Sequence, residues 1–173
     1  MARLTNKKRA QVNKQLWERA NNSHRQRWQV LSQKGFDFYL NEQLSRTEVD
    51  ALEESGMPTF IINRVTPIVE IMKYFVTANN PRWKAVGATG DDVDTAQVHS
   101  DIAEYCWYLS NGKSLYSQVV LDSLTKGVGY FLVDVDKDAD RGMGEVDFKR
   151  IDPYDVYIDP ASRDFLLRDA TFV

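Results

Sequence analysis

The sequence predicts an α+β fold in which helices pack on a small, mostly antiparallel sheet, with a long basic helix at the N-terminus. Three observations support this prediction. Apolar residues recur at helical spacing through most of the first 126 residues, and the pattern changes to alternation over residues 130–151. Basic residues concentrate in the first 34 positions, which hold nine Lys or Arg and one acidic residue. With 43% apolar residues among 173, the chain can build one packed core.

Composition excludes several classes of protein. No run approaches the ~18 consecutive apolar residues of a membrane-spanning helix. The first residues are charged and lack the apolar stretch of a signal peptide. The single cysteine, Cys106, excludes an intrachain disulfide and lies at an apolar helical position, so we expect it to be buried. These features are typical of a reducing cytoplasm.

The N-terminal helix is predicted over residues 6–33, ending near Lys34 and Gly35. Its apolar positions follow helical spacing: Val12, Leu16, Ala20, Trp28 and Leu31. The other faces are polar and basic, so the helix needs a partner surface to be stable. We therefore divide the chain into a basic helical arm, residues 1–35, and an α+β domain, residues 36–173.

Two helices are predicted in the first half of the domain. Ser45 and Glu48 have the spacing of a capping box, and Gly56 ends the short helix that follows. Asn63 can cap the next helix, predicted over residues 63–77. That helix carries a broad apolar face formed by Val65, Ile68, Val69, Met72, Phe75 and Val76. An extended segment or short strand, RWKAVGA, comes after it.

Two more helices precede the alternating region. Asp91 and Asp92 open one that runs to about Ser110, and the other spans residues 114–126 and ends at Gly127. The positions of the first that we expect to point inward are Val93, Ala96, Ile102, Ala103, Cys106 and Trp107.

The alternating region predicts a hairpin with a long turn, because YFLVDVD and EVDFKRI each alternate with period two. The last residues, DATFV, have the composition of a further strand. We expect the domain to continue in a longer protein on that ground.

The hairpin turn suggests two metal chemistries. Asp134 to Glu145 places acidic residues at positions one, three, five, seven and twelve of an EF-hand-like loop. The sixth position is Ala139 instead of glycine, and the flanks read as strands, so a solvated acidic hairpin tip is the competing interpretation.

The second chemistry is that of a Mg²⁺-dependent nuclease of the PD-(D/E)xK kind. Asp134 or Asp136 would supply the first acid, and Asp147 and Lys149 the D-x-K element, since two carboxylates can hold Mg²⁺ while a lysine stabilises charge on phosphate. Polar residues on the outer face of a hairpin generate the same three-residue pattern. The nuclease is kept as an alternative function.

Nucleophilic catalysis and phosphate binding lack a motif. His24 and His99 lie on predicted polar helix faces without a recognisable nucleophile. Gly127 and Gly129 follow a helix and precede a strand, the reverse order of a phosphate-binding loop, and are typical of a helix C-cap. We therefore predict no catalytic residue, no metal and no cofactor.

The basic arm predicts contacts with phosphates or with an acidic neighbouring subunit. The candidate contact residues are Lys7, Lys8, Arg9, Lys14, Arg25, Arg27 and Trp28. Subunit contacts would also use an apolar edge near Trp28, Phe36 and Phe38. A DNA-binding adaptor that uses this helix is a further alternative function.

Two segments, IINRVTPIVEIMKYFVTANNPRWKAV and LDSLTKGVGYFLVDVD, resemble parts of the portal proteins of tailed bacteriophages. The first is similar to their capped apolar helix, Asn-Pro turn and extended piece, and the second to the helix, glycine turn and strand of the portal wing. FKRIDPYDVYIDPASRD resembles the family's corner, formed here by Ile151, Pro153, Asp159, Pro160 and Asp164. The resemblance covers about Pro58 to the C-terminus and is closest to portals of short-tailed, podovirus-like phages. The chain would be the N-terminal wing part.

The resemblance implies a non-enzymatic structural protein. Portals form homo-oligomeric rings, usually dodecamers, at one capsid vertex, where they dock terminase, pass double-stranded DNA during packaging and ejection, and hold the tail. The implied partners are other copies of the chain, terminase, the major capsid protein, and tail or head-completion proteins, with no membrane. The implied location is the virion, after assembly in the host cytoplasm.

Overall fold

The structure, a computed structural model, describes residues 5–88, 90–164 and 166–173, without the side chain of Asp91. These residues form helices α1 (Asn6–Ala20), α2 (Ser23–Tyr39), α3 (Arg46–Glu54), α4 (Val65–Thr77), α5 (Val93–Leu109) and α6 (Gly112–Lys126), and strands β1 (Tyr130–Asp136) and β2 (Glu145–Ile151). The two strands make one antiparallel sheet, so the α+β prediction is confirmed. Residues 1–4 of the predicted arm lie outside the described part.

The single helix predicted over residues 6–33 is wrong. The chain leaves the helix after Ala20, and Asn22 caps α2 by accepting a hydrogen bond from the Arg25 backbone N–H at 3.0 Å. Asparagine side chains compete with helical hydrogen bonds in this way, and two successive asparagines mark the break. α2 then continues through Gly35, which lacks the Cβ that would lie 2.8 Å from the Thr125 carbonyl oxygen of α6. Gly35 therefore permits a close helix crossing and does not end the helix.

Three other predicted helix signals are confirmed. The Ser45 side chain accepts from the Glu48 backbone N–H while the Glu48 carboxylate accepts in return, which completes the capping box of α3. Asn63 Oδ1 accepts from the backbone N–H groups of Val65 and Thr66 at 2.9 and 3.1 Å. Gly127 closes α6 in the left-handed region, with φ of 87°.

The hairpin is also confirmed. β1 pairs with β2 in antiparallel register from Tyr130 opposite Ile151 to Asp136 opposite Glu145. The segment predicted as extended or as a short strand, residues 82–88, forms no strand, and its Ala85 N–H donates to Ser100 Oγ of α5 at 2.9 Å. The strand predicted in DATFV is wrong, because its backbone bonds to the buried Asp159: Thr171 N–H donates to the carboxylate and the Phe172 carbonyl accepts from Asp159 N–H.

The core is centred on Trp107, near the C-terminal end of α5. Its ring lies 5.3 Å from that of Phe148, 5.9 Å from Phe131 and 6.0 Å from Trp83. The buried apolar residues are Ala20, Val69, Cys106, Trp107, Val119 and Val120. The burial predicted for Cys106 and Trp107 is therefore confirmed.

Burial predicted for Val93 and Ile102 is wrong, since they are 63% and 52% exposed. The small sheet meets α5 at Trp107 and leaves these earlier turns uncovered. On the apolar face of α4, Val69 is buried and Val65 is half-buried, while the other four residues are exposed. The chain exposes 13,591 Å², whereas a compact monomer of its mass would expose about 8,700 Å². The fold thus presents a large apolar surface that it does not cover itself.

Candidate functional site: the corner and the charged surfaces on either side

A buried corner follows β2 and anchors the N-terminal helices. Its central side chain, Asp159, is 2% exposed. One carboxylate oxygen, Oδ1, accepts from Ala161 N–H at 3.0 Å and pairs with the Arg19 guanidinium at 3.1 Å. The other, Oδ2, accepts from Thr171 N–H at 3.2 Å. The hydrogen bond from Ala161, with those from Thr171 and the charge of Arg19, lowers the pKa of Asp159, so the carboxylate stays ionised.

Arg25 and Trp28 attach α2 to the same corner. The Arg25 guanidinium donates to the carbonyls of Val156 and Tyr154, both at 2.6 Å, and its centre lies 3.9 Å from the ring centroid of Tyr157. Trp28 Nε1 donates to the Lys126 carbonyl at 3.0 Å, at the end of α6. Two of the seven predicted contact residues, Arg25 and Trp28, therefore bind the body of their own subunit. Contact of either with another molecule stays a prediction.

Four charged groups join α6 to the start of the corner. Asp122, 3% exposed, accepts from the Arg150 guanidinium and pairs with Lys126 Nζ at 3.2 Å. Lys126, 6% exposed, also donates to Asp152 at 2.9 Å. The hydrogen bond to Asp122 raises the pKa of Arg150. Burial acts to raise the pKa of Asp152, but hydrogen bonds from Tyr154 N–H and Lys126, with the charges of Lys126 and Arg150, outweigh it and lower that pKa.

This charge network was missed by the sequence reasoning. Asp122 and Lys126 lie four residues apart on a helix, and oppositely charged residues at that spacing usually form a solvent-exposed ion pair. The available signal was that both lie beside the aliphatic residues of the segment VVLDSLTKG. Charged residues at core positions are buried only when they are paired.

The basic surface consists of α1 with Arg27. Lys7, Lys8, Arg9 and Lys14 are exposed on α1, and Arg27 is exposed on α2. The contacts that α1 makes with the body lie in its last turn: the ring of Trp17 is 6.3 Å from that of Tyr157, Arg19 binds Asp159, and Ala20 is buried. The earlier turns of α1 extend away from this anchor.

The acidic surface is the hairpin tip, residues 134–147, which holds six carboxylates and two basic residues. Asp134, Asp136, Asp138 and Asp140 are exposed. Within the described ranges, no group of three His, Cys, Asp or Glu side chains could hold a metal ion. Both flanks are strands rather than the helices of an EF-hand.

Asp147 and Lys149, the two residues of the predicted nuclease D-x-K element, form an ion pair with each other. Lys149 Nζ lies 3.4 Å from the Asp147 carboxylate, and both are partly solvent-exposed. Asp134 is opposite Asp147 in the strand register. His24 and His99 are exposed on α2 and α5. The arrangement found at the hairpin is a pair of partly solvated strands with a charged tip.

The sequence matches the family model of the phage P22-like portal protein over residues 15–173. The chain belongs to the P22-like portal protein family. The match runs from the middle of α1 through the corner and includes the N-terminal helices that lie before Pro58, where the resemblance began. No curated protein matches the sequence.

Membership in the portal family assigns the chain a structural role in a phage. P22-like portals belong to the phage capsid and work as oligomeric assemblies. Among the described residues, no helix has the length and apolar character needed to cross a bilayer. The corner, the charge network and the two charged surfaces are therefore features of an assembling protein.

Proposed function

We propose that the chain is a structural subunit of a portal ring at one capsid vertex. The ring, of twelve subunits as the family resemblance implies, is the channel for packaging and ejecting double-stranded DNA. Its partners are further copies of itself, terminase, the major capsid protein, and tail or head-completion proteins. It acts in the virion after assembly in the host cytoplasm, and it works by association rather than by catalysis.

The family match carries this proposal, and the surface of the subunit supports it. The exposed area exceeds that of a compact monomer by about 4,900 Å². A subunit of a closed ring contributes to two interfaces, and a large obligate interface buries about 2,500 Å² on each partner. Two such interfaces would remove about the excess area. The exposed faces of α4 and α5 supply apolar residues for them.

The basic surface suits contact with a neighbouring subunit, and Lys7, Lys8, Arg9, Lys14 and Arg27 are the proposed contacts. Trp28 and Arg25 attach α2 to the end of α6 and to the corner through hydrogen bonds to the backbone carbonyls of Lys126 and Val156. Because the basic surface lies on the N-terminal helices, we also propose the division of the chain into a basic helical arm, residues 1–35, and an α+β domain, residues 36–173. Since α2 packs on α6 at Gly35, the part of the arm free to reach a neighbour is α1.

Particle mass and negative-stain imaging of the full-length gene product test the proposal. Rings with a central channel are expected, and a monomer at micromolar concentration would refute the proposal.

A cleavage assay tests the nuclease alternative. Duplex DNA with Mg²⁺ is incubated with the wild type and with a variant carrying Asp147→Ala and Lys149→Ala. No cleavage is expected from either. Cleavage by the wild type that this variant loses would establish the nuclease instead.

A further inference from the structure

Among the described residues, those of α1 that precede its last turn are exposed, apart from half-buried Leu16, so packing within the subunit gives this part of the helix little stabilisation. α1 is a 15-residue helix whose one buried residue is Ala20, at its C-terminal end. Isolated helices of this length are marginal in water. Its N-cap, Thr5, makes no side-chain capping hydrogen bond. A surface on another molecule would provide the missing stabilisation.

Charge identifies the kind of surface that α1 fits. The helix carries five basic residues and one acidic residue, Glu18, which lies 3.8 Å from Lys14. An acidic partner would therefore meet a net positive helix about 22 Å long. Leu16 and the partly exposed Trp17 add apolar area near its base.

The hairpin tip has the matching charge. Six acidic and two basic residues over residues 134–147 offset the excess on α1. Among the described residues no ion pair joins the two surfaces within one subunit, since the ion pairs of α1 are Lys14 with Glu18 and Arg19 with Asp159. Each subunit thus presents a basic element and an acidic element.

We infer that α1 of one copy docks on the acidic hairpin tip of a second copy. The contact joins unlike surfaces, so it is head-to-tail, the type of interface that closes into a ring. This inference rests on the proposed self-association and names the surfaces that perform it. Charged rims of this kind set partner register and speed encounter, and salt weakens them.

Charge reversal on each surface tests the inference in the full-length protein. The arm variant carries Lys7→Glu and Lys8→Glu, and the tip variant carries Asp136→Lys and Asp138→Lys. Each is expected to weaken self-association at least tenfold at 50 mM salt, measured by mass photometry. Combining the two is expected to restore association to within threefold of wild type.

Matched controls reverse the same number of charges elsewhere. Glu53→Lys with Glu54→Lys on α3 changes two exposed acids, and Arg82→Glu with Lys113→Glu changes two exposed bases. Both controls should associate like the wild type. Circular dichroism establishes that every variant retains its helices.

The outcomes separate this inference from the proposed function. If the tip variant forms rings as well as the wild type does, the inference is wrong and the proposed portal function is unaffected. Failure of the combined variant to recover also overturns it. If the arm variant loses binding to a 30-base-pair duplex while both variants associate normally, α1 contacts DNA and the inference is wrong. A monomeric wild type overturns both.

Discussion

Removing the Asp122 carboxylate by Asp122→Ala tests whether the buried charge network holds α6 to the corner. Asp122 is 3% exposed and satisfies two cations, Arg150 and Lys126. Charge-assisted hydrogen bonds contribute about 1.5–3 kcal/mol each, but they are not additive, and loss of one partner of a buried pair costs about 3–5 kcal/mol. Lys126 keeps Asp152, so we expect the lower half of that range, about 3–4 kcal/mol.

The assay is thermal unfolding followed by circular dichroism. With an unfolding entropy of about 0.36 kcal/mol/K for 173 residues, the loss corresponds to a Tm lower by about 8–11 °C. Glu18→Ala is the control, because it breaks an exposed ion pair on α1 and should change stability by less than about 0.5 kcal/mol. If the Asp122 variant melts within 2 °C of the control, the network does not stabilise the fold as argued.

Two other changes address the corner and the helix crossing. The pKa of Asp159 is lowered, so its stabilisation is complete above the unfolded carboxyl pKa of about 3.9 and is lost as pH falls through that value towards the folded pKa. Asp159→Asn should therefore flatten the dependence of Tm on pH below about pH 5, and an unchanged slope would contradict this role. Gly35→Ala places a Cβ 2.8 Å from the Thr125 carbonyl and should cost about 1–3 kcal/mol despite the better helix propensity of alanine. Both glycine variants are measured by denaturant titration. Gly90→Ala, with open space around its Cβ, should be neutral, and equal midpoints for the two variants would refute the close-contact argument.

Local signals in the sequence predicted most of the elements. Capping residues such as Ser45 and Asn63, and the change from helical spacing to alternation after Gly127, depend on neighbours a few residues away. The α+β class follows from these signals because each one is a hydrogen-bonding or steric property of a short segment. The hairpin strands were placed correctly for the same reason.

Errors arose where a residue's role depends on distant parts of the chain. Gly35 has the appearance of a helix terminator, but its small size serves the contact with α6. The final residues have strand composition, yet their backbone groups bond to Asp159. The internal partners of Arg25 lie more than a hundred residues away, so neither spacing nor charge on α2 could have shown them.

Asp159 links two ends of the fold through one carboxylate. One of its oxygens holds Arg19 of α1 and the other holds Thr171 near the C-terminus. Because the carboxylate is buried, it cannot move with the Arg19 guanidinium without also disturbing its hydrogen bond from Thr171 N–H. Tension applied to α1 by a neighbouring molecule would therefore be transmitted to the terminal segment through a single side chain, with no need for the intervening helices to deform.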